Sequence, residues 1–334
     1  MKENFLKFLP GLVIMVCFYI LAVILWKAMN YPIFLSNFII VGTLVGLGFG
    51  LWPILKKENR EIARKITMLL VGSYIFFGFG TGLMYLLFGY FRTENFQFEG
   101  FWFYLILGGF AGTVYHYTIA KIVGPFIFGR LICGWLCWTA AILDFLPWKN
   151  NKGRINKRWE YFRYIHFFIG LALVLILIFV FDYSGIERAR VKLIDLPADI
   201  KTLFYKFITL KELWWFVIGN CLYYFIAVIL AFVLKDNRAF CKYVCPITVF
   251  MKIGSRFSLF KIKTDKIKCK QCGTCEQNCM MNNKITDYTK EGDRVTSSEC
   301  ILCLNCVRVC PNNALSRSLG FDAGFRDKIN RNKA

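Results

Sequence analysis

Two identical runs of four cysteines near the carboxyl end constrain this chain most. Both runs have the spacing C-x2-C-x2-C-x3-C. The first contains Cys269, Cys272, Cys275 and Cys279. The second contains Cys300, Cys303, Cys306 and Cys310. Three thiolates two residues apart can surround one cube of iron and sulfide, whereas the fourth lies too far along the chain and reaches the other cube. The spacing therefore predicts two [4Fe–4S] clusters.

The same spacing is the ligand pattern of bacterial two-cluster ferredoxins, and it predicts a crossed assignment. One cluster is expected on Cys269, Cys272, Cys275 and Cys310. The other is expected on Cys300, Cys303, Cys306 and Cys279. Pro311 follows the second run as in that pattern, whereas Met280 stands in the matching place after the first. A disulfide framework or two zinc sites are the alternatives, and two identical quartets beside an apolar region disfavour both.

The composition is that of a membrane protein. Of 334 residues, 57% are hydrophobic, 18% are aromatic and only 19% are charged, which is too apolar for an ordinary soluble domain. Lys and Arg number 42 against 21 Asp and Glu. Cytoplasmic loops that orient membrane spans explain this excess, and no nucleic-acid motif accompanies it. Free thiols that must meet iron imply a reducing compartment.

Six apolar stretches are long enough to cross a bilayer as helices. They are residues 10–28, 33–55, 66–91, 101–120, 162–182 and 214–234. The connections 56–65 and 149–163 and the tail from Lys235 are basic, whereas 92–100 holds one Arg and two Glu and 183–213 resembles a small external loop. With the N-terminus in the cytoplasm, all three basic regions lie on the cytoplasmic side. Both termini are therefore expected in the cytoplasm.

Residues 122–148 do not fit a seventh span. Arg130 and Asp144 would lie at membrane depth, and an odd span would place a basic region on the wrong side. We expect instead a re-entrant or interfacial hairpin that breaks at Gly124-Pro125 and packs inside protein. Arg130 and Asp144 are functional candidates, or partners in a salt bridge that holds the hairpin.

A second set of cysteines consists of two C-x3-C pairs. Cys133 and Cys137 are expected on one helix face, and Cys241 and Cys245 follow the last span. If the pairs meet, they supply four thiolates to one metal centre, with iron the preferred occupant and copper next. A redox-active dithiol is the other interpretation, although it exchanges two electrons while clusters pass one. Cys17 and Cys221 are expected to pack as small apolar side chains.

The combination GRxxCGWxC, a downstream CxxxCP and a double ferredoxin motif resembles the NapH/NosR/CcoG-type membrane iron–sulfur proteins over roughly residues 100–315. The resemblance implies a polytopic inner-membrane protein that passes electrons between the quinone pool or cytoplasm and a respiratory or metal-handling partner. Its motif cysteines fall on Cys133, Cys137, Cys241 and Cys245. Trp138 replaces the proline that usually ends the first motif. The extra flavin domain of NosR is absent from this sequence, which favours the shorter NapH-like form.

The chain has two histidines, and both fall in predicted spans. His116 and His166 are expected at similar depth near the cytoplasmic side. They could ligate a b-type haem or bond a quinone, but a boundary histidine bonded to backbone or water is the favoured interpretation and haem the least favoured.

The sequence thus predicts an α-helical polytopic membrane protein with a C-terminal two-cluster ferredoxin-like α+β domain. The expected boundaries are a transmembrane domain at 1–240, a C-x3-C linker at 241–262, the ferredoxin domain at 263–318 and a basic tail at 319–334. The expected function is electron transfer between cytoplasmic-side clusters and the quinone pool or a respiratory partner protein. A copper reductase or metallocentre assembly factor is the alternative, and a transporter with regulatory clusters is disfavoured. Membrane lipid is an expected partner and nucleic acid is not.

Overall fold

The computed structural model describes residues 2–30, 33–80, 95–108, 112–148, 155, 157–183 and 198–322. Predictions that concern 81–91, residues 149–154 and 156 of the basic connection, residues 184–197 and the end of the tail lie outside these ranges. The helices that precede the cysteine quartets are α1 (Lys2–Met29), α2 (Ile33–Leu51), α3 (Asn59–Ser73), α4 (Phe98–Ile106), α5 (Gly112–His116), α6 (Gly124–Phe128), α7 (Leu131–Trp135), α8 (Trp138–Leu143), α9 (Phe162–Phe179), α10 (Ala198–Leu234), α11 (Ala239–Tyr243) and α12 (Ile247–Arg256).

Four helical segments are long and apolar enough to cross a membrane within the described ranges. They are Asn4–Ala28, Phe34–Leu51, Arg158–Phe179 and Lys211–Leu234. Large apolar side chains on them remain exposed, such as Phe179 at 71% and Ile218 at 58%. This pattern is typical of helices whose outer surface faces lipid hydrocarbon. The chain is therefore a mostly helical membrane protein.

Two of the other predicted spans differ from a single apolar helix. The third begins as α3 and continues as π-helix over Tyr74–Gly80, after which the described residues end. The fourth, expected over 101–120, is interrupted because α4 ends at Ile106 and the chain turns at Gly108, where φ is 69°. Within α4, Phe98, Phe101 and Tyr104 are buried in protein. One straight helix over 101–120 was therefore a wrong prediction.

Residues 183–213 were expected to form a loop, but α10 already begins at Ala198. The helix therefore extends beyond the apolar stretch that begins at residue 214. The segment 241–262, expected as a linker, is also largely helical, because it contains α11 and α12.

The stretch 122–148 forms three short helices and no continuous span. A π-helical turn, Tyr117–Val123, leads directly into α6, so the chain does not break at Gly124-Pro125 as predicted. The helix ends instead at Phe128, because Gly129 has φ 57° and ψ −140°. Side chains with a Cβ rarely adopt this conformation. The helices α7 and α8 follow, with Cys133 in α7 and Cys137 directly before α8.

The quartets lie in a small module closed by a two-stranded sheet. Strands β1 (Phe260–Thr264) and β2 (Leu315–Leu319) pair antiparallel, with Phe260 opposite Leu319. Between them lie α13 (Thr274–Gln277), α14 (Ile285–Glu291) and α15 (Asn305–Val309). One apolar core contains Phe49 of α2, Trp52 just after that helix, Trp135 of α7, and Ile262 and Leu302 of the module. The module is therefore packed directly on the helical domain.

Candidate metal centres

The structure brings together the four cysteines expected on the first cluster. A cavity near the module surface is lined by Cys269, Cys272, Cys275 and Cys310, together with Lys270 and Thr289. Cys272 is exposed, whereas Cys275 and Cys310 are buried. The fourth cysteine of the second run thus lies with the first three of the first run.

The same exchange occurs at the second cavity. It is lined by Cys300, Cys303, Cys306 and Cys279, and by apolar side chains including Ile262 and Leu304. Cys303 and Cys306 are buried. All fourteen cysteines of the chain are free thiols in the structure, so no disulfide competes with cluster ligation. Two cavities ringed by four thiols each fit the [4Fe–4S] clusters that the spacing implies.

The two quartets have the same local backbone. Positive φ values occur just before and just after the second cysteine of each run, at Gln271 (54°) and Gly273 (73°) and at Leu302 (50°) and Leu304 (63°). Left-handed backbone at leucine is strained and persists where the surrounding structure imposes it. Here it curves each loop around its cavity. The repeated spacing therefore produces a repeated structure.

Backbone amides donate to sulfur at matching positions. The amide of Asn283 lies 3.3 Å from Cys279 Sγ, and that of Ala314 lies 3.2 Å from Cys310 Sγ. Each donor lies four residues after the fourth cysteine of its run. Hydrogen bonds to cluster sulfurs are one means by which proteins set the potential of a cluster. Burial raises the pKa of Cys275 and of Cys300 to about 12, so metal binding there must displace protons.

The two C-x3-C pairs also share one local structure, which differs from the predicted helix face. Cys133 is the third residue of α7, and Cys241 is the third residue of α11. Both helices are five residues long and end before the second cysteine. The amides of Cys137 and Cys245 donate to the carbonyls of Ile132 and Phe240, at 3.0 and 2.9 Å. Each pair thus spans a helix and the turn that follows it.

An arginine precedes each of these helices. Arg130 and Arg238 occupy the N-cap positions of α7 and α11, three residues before the first cysteine. Arg238 Nη1 lies 3.9 Å from Cys241 Sγ and 3.0 Å from the carbonyl oxygen of Cys133. Arg238 therefore connects one pair to the other.

The four thiols of the two pairs lie in one neighbourhood. Burial raises the pKa of Cys245, and its proximity to the thiols of Cys241, Cys133 and Cys137 raises that pKa further. No three His, Cys, Asp or Glu side chains converge closely enough to hold a single ion in the part of the chain that the structure describes. The thiols therefore share a region without meeting at one point. Cys133 Sγ also lies 3.5 Å from Met251 Sδ, so the region is rich in sulfur.

The first C-x3-C pair lies directly against the second quartet. Cys133 packs in a cluster with Met281, Ile301 and Cys303. A Cβ added to Gly134 would collide with the carbonyl oxygen of Ile301 and lie 3.4 Å from the amide nitrogen of Cys303. The indole of Trp135 donates to the carbonyl of Leu302 at 2.9 Å. Only glycine at position 134 allows the two backbones to approach so closely.

Arg130 and Asp144 do not bond each other, contrary to the salt bridge considered above. Arg130 Nη1 pairs with Glu299 Oε2 at 2.7 Å. Asp144 accepts from Arg238 Nε at 2.6 Å and from Arg64 Nη2 at 2.8 Å. The sequence could not predict these ion pairs, because their partners lie 80 to 169 residues apart. Local spacing carries no information over such a separation.

Positive charge exceeds negative charge around these thiols. Three buried carboxylates, Asp144, Asp236 and Glu299, pair with five cations that are nine-tenths buried or more, namely Arg64, Arg130, Arg163, Arg238 and Lys242. Buried charges are normally paired. Five cations against three carboxylates suit an anionic centre, such as iron bound by thiolates. Sequence reasoning missed Arg64, Arg163, Arg238 and Glu299, although the repeated R-x-x-C-x-x-x-C pattern could have indicated Arg238.

The two histidines have different neighbours. The His116 ring packs against Phe96 and Trp138, and its Nε2 atom is buried without a hydrogen-bond partner in the described structure. His166 Nδ1 bonds the carbonyl oxygen of Val244 at 2.9 Å. His116 thus adjoins the residue after Cys137, and His166 the residue before Cys245. The expected bond to backbone is found for His166.

The family described as 4Fe-4S dicluster domain matches residues 261–311. The family described as 4Fe-4S binding domain matches twice, over 117–158 and 222–265. Each of these two matches contains one of the C-x3-C pairs, which agrees with the local structure that the pairs share. The fold and its cysteine sites therefore define an iron–sulfur electron-transport protein of the membrane.

Some of the curated proteins that resemble this chain are named as electron-transport or ferredoxin-type proteins. The chain is 30% identical to the uncharacterized protein MJ0749 of Methanocaldococcus jannaschii over 60% of this chain and 69% of that protein. It is 25% identical to the Escherichia coli protein YccM, which is named a putative electron transport protein, over 58% of this chain and 52% of that protein. It is also 25% identical to the ferredoxin-type protein NapH of Haemophilus influenzae, over 58% of this chain and 63% of that protein. No solved structure matches the chain.

The chain belongs to the NapH/NosR-type family of 4Fe-4S membrane proteins. The resemblance stated from the sequence motifs is thereby confirmed.

Proposed function

We propose that this protein is an electron conduit that connects two cytoplasmic-side [4Fe–4S] clusters to the quinone pool or to a respiratory partner protein in the membrane. The clusters are held by Cys269, Cys272, Cys275 and Cys310, and by Cys300, Cys303, Cys306 and Cys279. A third centre is held by Cys133, Cys137, Cys241 and Cys245. When bound, these groups accept and release one electron at a time.

The observation that carries this proposal is the contact between the first C-x3-C pair and the second quartet. Gly134 lets the Ile301–Cys303 backbone approach α7, and Cys133 packs beside Cys303. Electron transfer falls steeply with distance, so this contact favours passage between the two sites. Residues of the chain hold the sites in place, exclude water by burial and supply positive charge through Arg64, Arg130 and Arg238.

The histidines are proposed to act at the membrane end of this path. His116, whose Nε2 has no hydrogen-bond partner among the described residues, is available to bond a quinone oxygen, whereas His166 is held by Val244. Both termini in the cytoplasm remain our proposed topology. We place the boundary between helical domain and module near residue 260, where β1 begins.

Anaerobic purification with iron and sulfide counting, followed by EPR during a redox titration, tests this function. We expect about eight iron atoms from the quartets, and additional iron at the C-x3-C site. Zinc in the quartets without a low-potential EPR signal would overturn the proposal.

A second candidate is a copper reductase or metallocentre assembly factor. The contact of 3.5 Å between Cys133 Sγ and Met251 Sδ favours it, because thiolate and thioether ligands select Cu(I). Metal analysis separates the candidates. Copper bound in wild type and lost on Met251→Leu, with the iron content unchanged, would support the second.

A further inference from the structure

The two quartets differ sharply in their access to solvent. Cys272 of the first is exposed, whereas the second has no exposed cysteine, because Cys303 and Cys306 are buried and Cys279 and Cys300 are partly buried. Lys270 lines the first cavity itself. A protein in the cytoplasm can therefore approach the first quartet closely, and the second quartet only through the module. The first quartet is therefore the end of the electron path that a cytoplasmic protein can reach.

The loop that carries this exposed cysteine is strongly basic. Lys266, Lys268 and Lys270 are all exposed, and Asp265 is the acidic residue beside them. Lys268 lies 3.3 Å from Asp265 Oδ2. Lys266 and Lys270 form no ion pair with a described residue, so their charge is directed to solvent.

Membrane topology does not explain these lysines. Lys266 follows the last candidate span, which ends at Leu234, by 32 residues. Lysines orient spans when they lie within about 15–20 residues of a span end. The basic loop lies beyond that distance and faces outward from the module.

The loop also has a fixed shape and an apolar centre. Asp265 Oδ1 accepts from the amides of Ile267 and Lys268, at 3.0 and 3.2 Å, which closes the turn. The Ile267 side chain at its tip is 97% exposed. Protein interfaces combine an apolar anchor with a charged rim that steers association. A preformed loop also loses little entropy when it binds.

We propose that residues 265–272 form the docking face for an acidic, soluble one-electron carrier protein. Lys266 and Lys270 meet carboxylates around the carrier's redox group, and Ile267 inserts into its apolar surface. On transfer, the reduced carrier loses one electron and the module gains it, with no bond broken and no proton moved. This inference rests on the proposed function, since it names the partner of the first quartet.

Charge reversal tests the face in the whole protein, reconstituted in nanodiscs of zwitterionic lipid. Reduced flavodoxin, an acidic carrier, is mixed with the oxidised protein, and the rate of electron transfer is followed by stopped flow against ionic strength. We expect the wild-type rate to fall as salt rises. Lys270→Glu should slow it about tenfold at low salt and flatten that dependence. Ile267→Ala should raise the half-saturating carrier concentration without changing the salt slope.

Arg256→Glu is the matched control, because it makes the same change at an exposed residue before β1, at the other end of that strand from the loop. It should change the rate less than about twofold. Equal effects of Lys270→Glu and Arg256→Glu, or a rate independent of salt, would overturn the docking face.

Two further measurements separate other outcomes. Dithionite should reduce every variant fully. Failure to reduce the wild type would overturn the proposed function and the docking face together, whereas full reduction with unaltered carrier rates overturns the docking face alone. If Lys270→Glu matters only in discs that contain anionic lipid, the loop binds the membrane surface and the carrier proposal is wrong.

Discussion

Arg130 and Glu299 form a buried ion pair that joins the helical domain to the cysteine module, with Nη1 and Oε2 2.7 Å apart. Arg163 Nη1 and Lys252 Nζ reach the other oxygen of Glu299, at 2.9 and 2.8 Å. Glu299 directly precedes Cys300. One carboxylate thus fixes the start of the second quartet against three cations of the helical domain.

We predict that Glu299→Gln weakens the docking of the module. Removal of one partner leaves buried cations uncompensated, which costs roughly 3–5 kcal/mol. Thermal unfolding in detergent, together with protease release of the module, measures the effect. Asp322→Asn is the control, since Asp322 pairs with Lys261 and Arg294 at a side chain that is 24% exposed, where a pair contributes about 0–1 kcal/mol. Similar losses in both variants would contradict the role given to Glu299.

Gly134→Ala should displace the loop of the second quartet. Its new methyl group meets the backbone of Ile301, and overpacking of this kind costs roughly 1–3 kcal/mol. Faster hydrogen exchange of the amides at 301–304 is the expected readout. Gly320→Ala in the same module meets only the Arg294 guanidinium, at 3.3 Å, and should leave exchange unchanged. Unaltered exchange in Gly134→Ala would disprove the close contact on which the electron path depends.

The crossed ligation predicts which substitutions resemble each other. Cys279→Ser should remove the same EPR signal as Cys300→Ser, and Cys310→Ser the same signal as Cys269→Ser, because each fourth cysteine lines the cavity of the other run. Mössbauer spectra of the four variants would provide the comparison. If Cys279→Ser instead resembles Cys269→Ser, each run holds its own cluster and the crossed assignment is wrong.

The basic loops predict the topology. Reporter fusions at residues 60 and 334 should give cytoplasmic signals. An external signal at residue 334 would contradict the cytoplasmic placement of both termini.

Features of the fold and the site could be predicted from the sequence where they depend on residues close together in the chain, and not where they depend on residues far apart. The grouping of eight cysteines followed from spacing, because ligands a few residues apart are placed by the local backbone. Four of the spans followed from length and apolar composition. The break at Gly108 and the end of α6 at Gly129 did not, since glycine in an apolar stretch is compatible with a continuous helix.

The surroundings of the C-x3-C site could not be predicted. Asp144 pairs with Arg64 and Arg238, which are brought to it by the packing of α3 and α11 against α8. Ionisable residues in apolar stretches indicated a functional region, but their partners depend on the tertiary structure. The same limit applies to Gly134, whose need for glycine arises from the backbone of Ile301 far along the chain.

The central claim is a third redox centre on the two C-x3-C pairs, in contact with the second quartet. Iron and acid-labile sulfide per chain, measured with EPR redox titration on anaerobic wild type and on Cys133→Ser/Cys241→Ser, test it most directly. We predict more than about eight iron atoms in wild type, about eight in the variant, and loss of one EPR signal while those of the quartets persist. About eight iron atoms in both proteins with identical spectra would contradict the claim.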